Sequence, residues 1–101
     1  MRKIVLLCAL GMSTSILVRK MNEAAAELDY DCSVEAHPIV EAVNQCSDAD
    51  IILLGPQVRF NQASIQNSLP DKPIEVIDMR LYGTMNGKAI IDNVRKVLGD
   101  S

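Results

Sequence analysis

A chain of 101 residues, 49% of them hydrophobic, can bury one packed core, and residues 1–101 read as a single domain. A formal net charge of −3 excludes a binder of phosphate backbones. Tyr30, Phe60 and Tyr82 are the only aromatic residues, which excludes a base-stacking surface, so no nucleic-acid partner is expected.

The start, "MRKIVLLCAL", imitates a signal peptide. It is short, lacks a small-x-small cleavage site and runs into a polar turn and an amphipathic helix, so it reads as a buried first strand. No segment approaches the ~20 apolar residues that span a bilayer, so no direct membrane insertion is expected. Cys8, Cys32 and Cys46 are odd in number and widely spaced, with no C-x-x-C pair and no metal spacing. That fits a reduced, cytoplasmic protein.

Residues 3–8, "KIVLLC", read as a strand apolar on both faces. Residues 14–29 read as a helix whose stripe is Leu17, Met21, Ala24 and Leu28. Residues 32–37 read as a short strand with Val34 and Ala36 on one face. Pro38 is expected to open a second helix, 38–46, as a first-turn proline. Residues 51–54, "IILL", are a second wholly apolar strand, halted by Gly55-Pro56. A helix over 61–69, ended by Pro70, precedes a fourth strand at 73–77. The last helix is expected to start near Asn86, to use Ile90, Val94 and Val97 on one face, and to stop at Gly99.

The resulting order, βαβαβαβα, predicts an α/β fold with a four-stranded parallel sheet and helices on both faces. The first and third strands are apolar throughout, as central strands must be. The second and fourth alternate, with Glu35 and Glu75 expected to face outward. Strand order 2-1-3-4 satisfies this with right-handed crossovers. Its switch point lies between the first and third strands, and ligands bind there at the carboxyl ends of strands. The loops after those strands, 8–15 and 55–60, should therefore form the site.

Cys8 ends a central strand and faces the N-terminus of the first helix. Cysteines are commonly small buried hydrophobes, but this position favours a reactive thiol. Free N–H groups and the positive helix end stabilise a thiolate and cradle a phosphate. Gly11 lets the loop turn and approach an anion closely. Ser13, Thr14 and Ser15 add hydroxyls, although Ser13 or Thr14 alone would serve as a helix cap. Met12 is either an exposed contact or packing. Cys32 and Cys46, remote from the switch point, read as structural. His37 reads as a surface or capping residue. Gln57 and Arg59 are candidates for a second wall, and Asp78 and Tyr82 for the rim. No cluster implies a metal or an organic cofactor.

The blocks "CALGMSTSILVRKM", "ADIILLGPQV" and "PIEVIDMRLYG" resemble the cellobiose/lactose-type enzyme IIB of the bacterial sugar phosphotransferase system, over nearly the whole chain. The resemblance implies that Cys8 is the phosphorylated residue and that Ala9, Leu10, Gly11, Met12, Ser13, Thr14 and Ser15 form the phosphate loop. It implies a donor, enzyme IIA, carrying a phosphohistidine. It also implies an acceptor, a β-linked disaccharide such as cellobiose, held by the membrane enzyme IIC. A monomer is expected. The loop and sheet are also similar to those of low-molecular-weight tyrosine phosphatases, C-x-x-x-x-x-R-S. Here Thr14 occupies the arginine position while Ser15 matches, and no Asp-Pro pair supplies a general acid, since Asp71 is followed by Lys72. A switch-like interaction domain with an incidental thiol is the non-enzymatic alternative.

Overall fold

A computed structural model describes residues 1–8 and 12–100; the side chains of Met12, Ser13 and Val43 are not described. The strands are β1 (Arg2–Cys8), β2 (Cys32–Pro38), β3 (Ile51–Leu54) and β4 (Ile74–Val76). The helices are α1 (Met12–Glu27), α2 (Ala42–Gln45), α3 (Gln62–Ser68), α4 (Met79–Gly83) and α5 (Gly87–Leu98). Short 3-10 turns occupy Ile39–Glu41 and Pro56–Asn61. The sheet is parallel throughout, in the order β2-β1-β3-β4 that the sequence predicts.

The period-2 pleat of the central strands splits the core into two layers. Ile4, Leu6, Ile51 and Leu53 face Leu17, Met21, Ala24 and Ala25 of α1 and Ile90, Ile91 and Val94 of α5. Val5, Leu7, Ile52 and Leu54 face Ala42, Cys46, Val58 and Ile65 on the opposite side. Full burial of each large aliphatic side chain contributes about 1.5–3 kcal/mol, which is why the two doubly apolar strands take the centre. Among the edge-strand glutamates, Glu35 is exposed and Glu75 half-buried.

Three local expectations are corrected. The second helix is not a continuous 38–46 segment. Pro38 has ψ 147, ends β2, and is followed by a 3-10 turn and a four-residue helix. The fixed φ of Pro38 suits the extended end of a strand as well as a first helical turn, and Val40 finds nothing to pack on, being 89% exposed. On α5 the apolar face is Ile90, Ile91 and Val94, with Val97 exposed, because the stripe rotates toward the sheet at Ile91. Finally, α4 was not anticipated. Its five residues are too few to carry a 3.6-residue stripe. Its visible signal is the N-cap Asp78, whose carboxylate accepts the N–H groups of Arg80 and Leu81.

Candidate active site

β1 delivers Cys8 to the carboxyl edge of the sheet, in register with Pro38 of β2. By strand alternation its side chain projects to the same face as Ile4 and Leu6, the face covered by α1. Cys8 is a free thiol, 7% exposed. Ala9, Leu10 and Gly11 of the expected phosphate loop lie outside the described residues. α1 starts at Met12, four positions after Cys8, and the first N–H groups of a helix have no partner within it. Ser15 is exposed, whereas Thr14 is 1% exposed, with its Oγ1 3.4 Å from the Tyr82 hydroxyl.

The second wall comes from the residues after β3. The Gly55 N–H donates to the carbonyl of Leu7 at 2.9 Å, fixing this wall to the end of β1. The Gln57 side chain folds back over Gly55: a Cβ there would stand 3.0 Å from Gln57 Oε1 and 3.7 Å from the Tyr82 ring. Arg59 donates to the Pro56 carbonyl at 2.9 Å, and its guanidinium lies 4.5 Å from the centre of the Phe60 ring. Pro56, Gln57, Arg59, Met79, Tyr82 and Gly83 line an open cavity of about 370 Å³. The structure thus gathers Gln57, Arg59 and Tyr82 around one space.

Asp78 is turned elsewhere. It caps α4 and borders a neighbouring cavity of about 400 Å³ with Glu75, Leu81 and Lys96. His37 is engaged by the edge strand's own Glu35, at 3.2 Å. Cys32 and Cys46 both have thiols pushed up, chiefly by burial, and Cys46 is 0% exposed. Sequence reasoning missed the Thr14–Tyr82 contact and the role of Gly55 as their neighbour. Gly55 was visible only as the residue that halts a strand. Among the described residues no helix is long and apolar enough to cross a membrane.

Four of the exposed large apolar side chains lie in the segments that follow the strands. Ile16, Val40, Phe60 and Met79 are exposed, and each follows a different strand.

A family model described as "PTS system, Lactose/Cellobiose specific IIB subunit" matches residues 3–93. The class is therefore a phosphotransferase component of a bacterial sugar phosphotransferase system, one that works with IIA and IIC components. Within that class, the chain belongs to the lactose/cellobiose-specific IIB subunits. It is 40% identical over 90 residues to the oligo-beta-mannoside-specific EIIB component of Bacillus subtilis (strain 168), covering 87% of each chain. It is 38% identical over 95 residues to the galactose-specific EIIB component of Lactococcus lactis subsp. cremoris (strain MG1363), covering 87% of this chain and 88% of that one. The solution structure of the cellobiose-specific IIB component from Borrelia burgdorferi superposes with a TM-score of 0.80 at 31% identity, covering 98% of this chain and 93% of that one.

Proposed function

We propose that Cys8 is the phosphoryl carrier of this IIB subunit. The Cys8 thiolate attacks the phosphorus of a phosphohistidine on IIA. The S–P bond forms as the P–N bond breaks, and the imidazole leaves, taking up a proton. A sugar hydroxyl, the 6-hydroxyl by family resemblance, then attacks the same phosphorus. The O–P bond forms, the P–S bond breaks, sulfur leaves as thiolate, and the hydroxyl proton passes to a base on the IIC side. Backbone N–H groups at the start of α1 and the hydroxyls of residues 13–15 hold the phosphate between the two transfers.

The observation that carries this reading is the placement of Cys8. It is the one cysteine at the carboxyl edge of a central strand, four positions before the start of α1. The other two thiols are pushed away from the reactive form by burial. Two successive partners must bring reacting groups within ~3–3.5 Å of phosphorus or sulfur, which requires an open face. The exposed Ile16, Val40, Phe60 and Met79 supply one, and IIA and IIC use it in turn. The sugar is a β-linked disaccharide such as cellobiose; relatives named for oligo-beta-mannoside and cellobiose support that class. The test is peptide mass spectrometry after incubation with phosphorylated IIA. Phosphate on Cys8 is expected, and phosphate on Cys32 or Cys46 overturns the reading.

A further inference from the structure

Thr14 is the only buried side chain of polar or charged type among the described residues. A hydroxyl at that depth needs a partner. The Tyr82 hydroxyl is 3.4 Å away, on a ring that is itself 8% exposed. This contact joins the third helical residue of α1 to α4. Tyr82 belongs to the core layer that contains Ile4 and Leu6, the face to which Cys8 projects. Its ring packs by Gly55, which is bonded to the residue before Cys8, and it also lines the cavity with Arg59 and Met79. Thr14 of α1, Gly55 after β3 and Arg59 beyond it therefore converge on one side chain after β4.

We propose that Tyr82 is a positioning residue for phosphoryl transfer: its hydroxyl holds Thr14, and through Thr14 sets the rotation of the first turn of α1 relative to Cys8. The proposal rests on the reading of Cys8 as the phosphate acceptor. The N–H groups of a helix's first turn point out of its N-terminus, each from a different position around the axis. Their convergence on a phosphate depends on how the helix is rotated, and a pinned side chain at the third position fixes that rotation. At 3.4 Å the contact is longer than the 2.7–2.8 Å common between hydroxyls. Such contacts tighten when the transferring group is in place. Tyr82 also lines the open cavity beside Arg59 and Met79, so a partner seated there would press on the residue that orients the turn.

The experiment measures single-turnover transfer from phosphorylated IIA to Cys8 at increasing IIA concentration, in wild type, Tyr82→Phe, Thr14→Val and the double variant. Each single variant should lower the maximal rate about tenfold, the equivalent of one hydrogen bond, with the half-saturating concentration unchanged. The double variant should be no slower than either single one. Thr14→Ser should restore most of the rate lost in Thr14→Val. Amide shifts of residues 13–15 should move in Tyr82→Phe. A wild-type rate in Tyr82→Phe, losses that multiply in the double variant, or a change in half-saturation alone overturns the proposal. If wild-type Cys8 takes no phosphate, the carrier reading has failed. The positioning role then stands or falls on the amide shifts, and unchanged shifts in Tyr82→Phe overturn it.

Discussion

Cys46 and Cys8 are both buried, yet their surroundings suit them to different work. Cys46 is sealed at 0% exposure among Val5, Ala42 and Ile52, and burial pushes its thiol up. Cys32 is half-buried, and desolvation and then Asp31 push its thiol up as well. Native-state alkylation, followed peptide by peptide, should therefore be fastest at Cys8 and absent at Cys46 until the chain unfolds. Modification of Cys32 ahead of Cys8 would remove the case for a reactive Cys8. Cys8→Ser should fold with an unchanged melting transition yet take no phosphate from IIA, because a serine hydroxyl is not ionised at neutral pH. The position of Cys8 was legible in the sequence, since an apolar run that ends in a cysteine before a helix reads as a strand delivering a thiol to the carboxyl edge, and β1 ends there. Thr14 was not. Its hydroxyl read as a loop donor beside Ser13 and Ser15, but α1 turns it inward to Tyr82, a partner 68 residues away. No local pattern records a contact between such distant positions. Its burial also bears on the phosphatase comparison: an arginine at position 14 would have to displace the Tyr82 ring.

At the scale of elements, α1 and α5 approach closely at one point. A Cβ added to Gly87 would stand 2.5 Å from the Lys20 carbonyl carbon and 2.7 Å from the Met21 nitrogen. These are backbone atoms, so no side-chain rotation can relieve the clash. Gly87→Ala should push the helices apart and cost about 1–3 kcal/mol, as overpacking of a tight core does. Chemical denaturation measures this, and a midpoint equal to wild type would show that the helices have slack. On the proposed role of Cys8, with its phosphate held at the start of α1, the same variant should slow transfer as well. Strands and long helices were legible here because their apolar periods are set by the sheet they cover. α4 and the broken second helix were not, being shorter than the windows over which a period repeats. Asp78 shows the gap clearly: read as a rim residue, it is found as the N-cap of α4.

Across the whole molecule, the two edges of the sheet are built differently. The carboxyl edge is open and apolar, whereas the amino edge is closed by charge. Arg2 grips Asp100 through Nε at 2.8 Å and Nη2 at 2.9 Å, and the Tyr30 hydroxyl donates to the same carboxylate at 2.6 Å. Hydrogen bonds from Arg2 and then Tyr30 hold the Asp100 carboxyl down from 3.8 to about 2. A carboxyl depressed on folding stabilises the fold above its unfolded value and loses that contribution as pH falls through its folded one. Between about pH 4 and pH 2, wild type should therefore lose its stability advantage over Asp100→Asn, as read from denaturation midpoints at each pH. A gap that stays constant over that window would mean that the clasp does not hold the carboxylate. The strand order was legible because it follows from which strands tolerate a polar face. This clasp was not, since nothing in a sequence announces that its second and hundredth residues meet. Their meeting makes the backbone a nearly closed ring. A ring can be opened elsewhere, and circular permutation is tolerated where the original ends lie close together. Joining the ends by a short linker and opening the chain at the exposed turn 70–72 should return the same sheet, still able to take phosphate on Cys8. Opening it between Gln57 and Arg59 should leave a folded protein whose site has lost its second wall.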